Sequence, residues 1–276
     1  VAFTKGFGLH SFGLGGTCRF MQDIESYDEP PVYGAGDIMY NHEESLFNSD
    51  FDIEIETGFL SGSGSVDIKF ASDDWHIHIG YPSPEGAMSL NFLDFFKTES
   101  YFVAGKTLPA MPQIDTEILN LTGSSVFSEY TRNTSLLEGT KGFGFGSKFT
   151  LETKFDHKPF YAYLWASAGY DIFMGNDSTI RCAGHEGEIG INGWYAMGQA
   201  YAGFQGKVGI KGKFGGFKID TKIFDVSAAA FCKAELPNPT WIKGEVHGKY
   251  NILGGAIKGN CDFPVELGSQ CEVVGG

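Results

Sequence analysis

The sequence lacks the short motifs that mark the common catalytic and cofactor-binding sites. It contains no complete GxxxxGK[ST] phosphate loop, no GxSxG nucleophile elbow, no HExxH zinc-binding helix and no CxxC pair. It also contains no run of 18 apolar residues, the minimum for a membrane-spanning helix. We therefore expect a protein that is not an enzyme, with no catalytic residue and no cofactor.

Positive charge is also scarce. The chain has 20 Lys and Arg residues against 34 Asp and Glu residues, which gives a formal net charge of −14. Such a surface repels phosphate backbones, so no nucleic-acid partner is expected. With 42% hydrophobic and 20% charged residues, the chain is too apolar for a disordered protein and too poor in charge for a coiled coil.

Glycine and aromatic residues are abundant, and the dominant sequence period is two. Acidic and apolar residues alternate over 50–56, and the alternation continues over 66–71 and 75–81. The Gly/Ser run 61–65 is typical of a turn, which predicts a hairpin. A helix over 194–205 is disfavoured, because each internal glycine costs about 1 kcal/mol relative to alanine. We predict an all-β fold with long antiparallel twisted sheets, arranged as a sandwich or an extended β roll.

The length predicts one large domain or two small ones. We assign residues 1–115 to an N-terminal β region, 116–140 to a connection and 141–276 to a C-terminal β region, with one continuous domain as the alternative. The segment Thr4–Leu9 is nearly repeated at Thr140–Phe145. This internal repeat is explained either by a duplication or by the convergent occurrence of glycine and aromatic residues in two unrelated strands.

Five cysteines are present, and two of them lie close together in the sequence. Cys261 and Cys271 enclose a short loop in which Pro264 and Gly268 supply turn points. We predict a disulfide between them, which would contribute roughly 2–3 kcal/mol in the chain-entropy model.

The other three cysteines leave their pairing open. Cys182 and Cys232 are the candidates for a second pair, which would leave Cys18 unpaired. An acidic, glycine-rich and aromatic-rich chain with a disulfide is typical of an oxidising compartment, so we expect an extracellular or cell-surface location, with the outer membrane as a further option.

His76 and His78 are the candidate metal ligands. They lie two residues apart on a strand and therefore on one face. Asp73, Asp74 or the distant pair at 185–186 (His-Glu) are the available further ligands. The simpler interpretation is a partly solvated strand face, so we expect no metal.

Two further patterns favour structural roles. The acidic residues of 50–56 spread along a straight strand and lie too far apart for one calcium ion, which favours a solvated face that blocks edge pairing. Five aromatic side chains offer stacking surfaces for sugars, but we expect them to pack within the sheets. They are Tyr161, Tyr163, Trp165, Trp194 and Tyr195.

Several blocks of the chain resemble very large secreted β-rich surface proteins of Bacteroidetes, which are largely uncharacterised. The blocks are 190–206, 234–241 and 253–261, in the same order as in those proteins, with 73–80 and 100–105 similar to an upstream block. The resemblance implies a surface or secreted protein cut from a longer chain. It implies no catalytic residues.

Three functions remain open. The first is a non-catalytic extracellular structural or adhesive module, whose partners are other chains of a surface assembly or the rest of a longer chain. The second is an outer-membrane β-barrel component, which the glycine content and small/aromatic alternation favour. The charged faces of the strands at 50–56 and 66–71, and the lack of evenly spaced strands of about 10 residues, speak against it. The third is a carrier of an apolar ligand in a β-lined groove. Membrane contact therefore stays open.

Overall fold

The computed structural model describes residues 2–3, 9–20, 31–122, 137–184, 187, 189–214 and 217–271. It is 70% strand and 4% helix, which confirms the all-β prediction. The strands and the helix are bounded as follows: β1 Ala2–Phe3, β2 Leu9–Phe20, β3 Val32–Asn41, β4 Leu46–Glu56, β5 Leu60–Phe70, β6 Trp75–Ile79, β7 Met88–Phe92, β8 Phe96–Gly105, α1 Thr116–Thr122, β9 Lys141–His157, β10 Phe160–Asn176, β11 Trp194–Phe214, β12 Phe217–Leu236, β13 Trp241–Ile252 and β14 Ile257–Gly268.

The fourteen strands belong to one sheet whose strand order follows the sequence. The one departure lies between β5 and β8, where two short strands share a single position. Strand β6 pairs with one half of β5, and β7 pairs with residues 60–63 in its other half. Both short strands then pair with β8. A sequential antiparallel order allows short connections. The connection from β8 to β9 is long, because it spans residues 106–140 and contains α1.

The chain forms two compact units. Unit 1 comprises residues 1–112, 135–147 and 173–177, and unit 2 comprises 113–134, 148–172 and 178–276. Strands β9 and β10 therefore contribute residues to both units. The helix α1 lies in the stretch predicted as a connection, and its neighbour 123–136 lies outside the described residues. Among the described residues, no helix combines the length and hydropathy needed to cross a membrane.

The predicted turn at 61–65 is wrong, because these residues are part of β5. The hairpin itself is present, but its turn lies at residues 57–59, where the Thr57 side chain exchanges hydrogen bonds with the backbone of Leu60. Gly62 serves close packing instead of a turn. A Cβ atom at this position would lie 2.5 Å from the Ser89 carbonyl oxygen and 3.1 Å from the Leu90 side chain.

The predicted disulfide between Cys261 and Cys271 is also wrong. Cys261 lies within β14, which stays extended through Pro264 to Gly268. At about 3.4 Å per residue, Cys261 is roughly 24 Å from the end of the strand, whereas a disulfide needs Cα atoms about 4.4–6.8 Å apart. Cys271 instead pairs with Cys182, at a Cα–Cα distance of 5.1 Å.

The second pair considered, Cys182 with Cys232, is also wrong because Cys182 is bonded to Cys271. Cys18, Cys232 and Cys261 are free and exposed. A buried carboxylate holds the chain end beside the Cys182–Cys271 bridge. Glu235 is 1% exposed and accepts hydrogen bonds from the Cys271 amide and the Gln270 side chain. The Tyr195 hydroxyl, 3.4 Å away, donates to the same carboxylate.

Candidate functional site

The main feature of unit 2 is the apolar side of strands β11 to β14. The registers align Ala230 with Val246, and Val246 with Phe263, so their side chains share one face. We call this the unit 2 apolar face. Its members are Ala196, Gly198, Ala200, Ala202, Phe204, Gly206 and Val208 of β11; Phe224, Val226, Ala228, Ala230, Cys232, Ala234 and Leu236 of β12; Ile242, Gly244, Val246, Gly248, Tyr250 and Ile252 of β13; and Ile257, Gly259, Cys261, Phe263, Val265 and Leu267 of β14.

No residue of the unit 2 apolar face carries a charge, and yet many of its large side chains are exposed. Phe263 is 62% exposed, Leu267 60% and Val246 46%. Isolated apolar residues at a protein surface are ordinary, but a contiguous apolar face over four strands marks a surface that something covers.

The opposite side of the same strands carries the charges. These are Lys207 of β11; Asp225, Lys233 and Glu235 of β12; Lys243, Glu245 and Lys249 of β13; and Lys258, Asp262 and Glu266 of β14. This polar side also contains buried groups, among them Gln199, whose amide donates to Asp171 at 2.8 Å. Helix α1 packs on this side, where Ile118 joins Trp165, Tyr201 and Phe231 in a hydrophobic cluster.

Unit 2 therefore inverts the usual distribution of a water-soluble sheet. An antiparallel sheet with one solvated side normally turns its apolar side to the core and its polar side to water. Over β11 to β13, Gln199, Glu235 and Glu245 on the charged side are buried, whereas much of the charge-free side is exposed. On β14 both sides are exposed, and the side chains of Asp262 and Glu266 are 55% and 56% exposed.

Unit 1 has a similar face. The registers of β2 to β8 bring together a second set of uncharged side chains, the unit 1 apolar face. Its large members are Phe12 and Leu14 of β2; Val32, Ile38 and Tyr40 of β3; Phe47, Phe51, Ile53 and Ile55 of β4; Leu60, Val66, Ile68 and Phe70 of β5; Trp75, Ile77 and Ile79 of β6; Met88, Leu90 and Phe92 of β7; and Phe96 and Phe102 of β8. Leu14 is 63% exposed, Ile53 44% and Phe51 43%.

Close packing within the unit 1 apolar face requires glycine at one position. Gly36 lies directly opposite Phe51, and the phenyl ring covers it. A Cβ atom at Gly36 would lie 2.3 Å from the ring. The acidic residues of 50–56 lie on the other side of β4, where Asp50 is opposite both Asp37 and Asp67.

The histidines of β6 lie on the polar side of unit 1, with a third ligand that the sequence does not identify. Asp67 of β5 is directly opposite His78, and its Oδ2 atom lies 2.8 Å from Nε2 of His76 and 3.8 Å from Nδ1 of His78. The two imidazole rings stack with centroids 4.4 Å apart. Ligand atoms of all three residues lie within 4.8 Å of one another.

The acidic ligands expected from the sequence do not join His76 and His78. Asp74 is engaged by the Lys69 ammonium at 2.9 Å, which holds the pKa of Asp74 below its ordinary value. Asp73 is not part of the cluster. The pair at 185–186 lies outside the described residues.

The aromatic residues considered for sugar stacking do not form a common platform. Trp165 and Tyr195 are buried, Tyr161 and Tyr163 are partly buried, and Trp194 is 40% exposed. A cavity of about 520 Å³ in unit 2 has a polar lining that includes Lys222, Asp225, His247 and Lys249. An apolar ligand would find charged groups there.

Comparisons with known proteins add no relative. No family model, no curated protein and no solved structure matches the chain. The resemblance to Bacteroidetes surface proteins therefore stays a prediction.

Proposed function

We propose that the chain is a non-catalytic structural component of an outer membrane, embedded through its two apolar faces. The observation that carries the proposal is the exposed charge-free side of unit 2, combined with the burial of Gln199, Glu235 and Glu245 on the opposite side of β11 to β13. Strands with apolar residues toward lipid and polar residues on the opposite side are typical of outer-membrane proteins.

Strand length supports this function. A tilted membrane-spanning strand needs about 9–11 residues. Strands β2 to β5 have 12, 10, 11 and 11 residues, and β13 and β14 have 12 each. The other long and short strands depart from this length: β6 and β7 have 5 residues each, and β9 to β12 have 17, 17, 21 and 20, so the uneven strand pattern expected from the sequence is present. The charged sides of the strands at 50–56 and 66–71 are compatible with membrane strands, which alternate in the same way.

The free cysteines also support this function. Cys232 and Cys261 belong to the unit 2 apolar face, and Cys18 lies opposite Gly34 on the unit 1 apolar face. The thiolate is the reactive form of cysteine, and it is unfavourable in an apolar environment. Thiols that contact hydrocarbon would thus be protected in an oxidising compartment.

The proposal has one physical requirement. Hydrocarbon does not tolerate an open sheet edge, because each unpaired backbone group costs several kcal/mol. Among the described residues, β14 pairs only with β13. In the membrane, β14 must therefore pair with another strand along its second edge, and its amides should exchange slowly in lipid.

A second candidate is a structural module of a surface assembly, in which another protein chain covers the apolar faces. The centre of the unit 2 apolar face favours it, because Ala200, Ala202, Ala228 and Ala230 leave a flat surface. Small residues allow a second sheet to pack closely, at about 10 Å.

Vesicle flotation distinguishes the two candidates. The full chain is purified in detergent, which is then removed in the presence or absence of phosphatidylcholine vesicles. We expect the chain to float with the vesicles, to resist an alkaline wash and to aggregate when lipid is absent. A defined, soluble oligomer without lipid or detergent would contradict the membrane proposal and support the assembly. A soluble monomer would contradict both.

A further inference from the structure

We propose that Asp67, His76 and His78 form a binding site for a divalent transition metal, with zinc as the reference ion. The three residues supply two imidazole nitrogens and one carboxylate oxygen, all within 4.8 Å of one another. Three protein ligands of this type with an open fourth position are typical of zinc sites. This inference does not depend on membrane insertion.

The distances suit a metal ion, and coordination requires one of the two nearly parallel rings, which are inclined by 11°, to rotate so that both nitrogens point at the ion. Bonds of about 2.0–2.1 Å in a tetrahedral site place ligand atoms roughly 3.3 Å apart. Asp67 Oδ2 lies 2.8 Å from Nε2 of His76 and 3.8 Å from Nδ1 of His78, so one separation is slightly shorter and one slightly longer than this value. An ion placed between these atoms would replace the direct contact between Asp67 and His76.

The strands hold the ligands in place. His76 and His78 have side chains only 21% and 18% exposed, so their rings have limited freedom, while Asp67 at 40% leaves access for an ion and a water molecule. Gly105 is opposite His76, and a Cβ atom there would lie 3.1 Å from that of His76. The Tyr81 ring meets the His78 ring edge-on at 5.4 Å.

The surrounding charges favour a cation. Asp50 is directly opposite Asp67 and adds negative charge beside the ligands. Lys69 is opposite His76 in the sheet. It is hydrogen-bonded to Asp74 at 2.9 Å and therefore directed away from the cluster.

Another histidine provides the matched control. His247 of β13 also contacts two carboxylates, but through different ring nitrogens: Nδ1 lies 2.7 Å from Asp262 and Nε2 lies 2.9 Å from Glu245. The two nitrogens of one ring point in different directions, so a single ion cannot reach all three groups. His247 is thus a histidine with acidic neighbours outside the proposed site.

Zinc titration tests the proposal with the full chain in detergent, and the three free cysteines are replaced by alanine in every protein. We expect one zinc ion per chain by calorimetry and a cobalt spectrum typical of tetrahedral coordination. His78→Ala should weaken zinc binding by at least about 100-fold, more than the loss of an outer-shell partner, and His247→Ala should leave it unchanged.

Asp67→Asn keeps the shape of the side chain and provides a second test. It should weaken zinc binding even if His78→Ala fails to fold by circular dichroism. Absence of zinc binding to the parent protein, or equal binding by Asp67→Asn and the parent, would overturn the proposal. Loss of vesicle association with intact zinc binding would refute the membrane function alone.

Discussion

The substitution Phe263→Arg distinguishes lipid from water on the unit 2 apolar face. Phe263 lies in the middle of β14 and is 62% exposed. In water, a substitution at so exposed a position changes stability by no more than about 0.5 kcal/mol. In a bilayer, an arginine near the midplane costs about 2–4 kcal/mol. Full burial of a phenylalanine side chain contributes roughly 1.5–3 kcal/mol. About three fifths of the Phe263 side chain is exposed, so the loss of its contact with lipid adds roughly 1–2 kcal/mol. The expected destabilisation is therefore about 3–6 kcal/mol.

The control is Asn260→Arg, on the same strand but on its polar side, where the position is also exposed. It should change stability by less than about 0.5 kcal/mol. Both variants are unfolded by urea in vesicles and followed by tryptophan fluorescence, with the vesicle-bound fraction measured in parallel. Equal stability and equal vesicle binding of the two variants would refute the reasoning, because they would place water on both sides of β14.

Two further predictions concern stability. Cys182→Ser should lower the free energy of unfolding by about 4–5 kcal/mol, which is the chain-entropy value for a disulfide with a sequence separation of 89, whereas Cys261→Ser should have little effect. Peptide mapping without reductant should recover Cys182 linked to Cys271. A peptide in which Cys261 is linked to Cys271 would contradict this pairing. Gly36→Ala should destabilise the folded protein by about 1–3 kcal/mol, because the added Cβ atom meets the Phe51 ring. Gly16→Ala is the control, because a Cβ atom at Gly16 would have no atom within 4 Å. Equal melting temperatures of the two variants would show that this packing is absent.

The sequence predicts the strands better than their connections. Period-two alternation identifies β4, β5 and β6 because each strand places one side against apolar neighbours. The Gly/Ser run 61–65 was predicted as a turn, although it belongs to β5, because small residues occur both in turns and in strands that pack closely on a neighbour. Only the position of β7, which brings Leu90 over Gly62, decides between them.

Contacts between distant residues are beyond sequence reasoning of this kind. Parity places His76 and His78 on one side of a strand, but Asp67 joins them only through the register of β5 with β6. Cys261 and Cys271 are close in sequence, yet an extended strand separates them. One available signal was missed: in β4, β5, β13 and β14 the charged residues all lie at alternate positions, which already predicts a charge-free face on these strands.

Spin labels along β14 report whether the unit 2 apolar face contacts lipid. Single cysteines at each position from 257 to 267, in a background without the other free thiols, carry a nitroxide in phosphatidylcholine vesicles. Labels at the positions of Ile257, Cys261, Phe263 and Val265 should collide mainly with oxygen, which concentrates in hydrocarbon. Labels at the alternate positions should collide mainly with a water-soluble nickel complex. Equal access of the nickel complex at both sets of positions would contradict lipid contact.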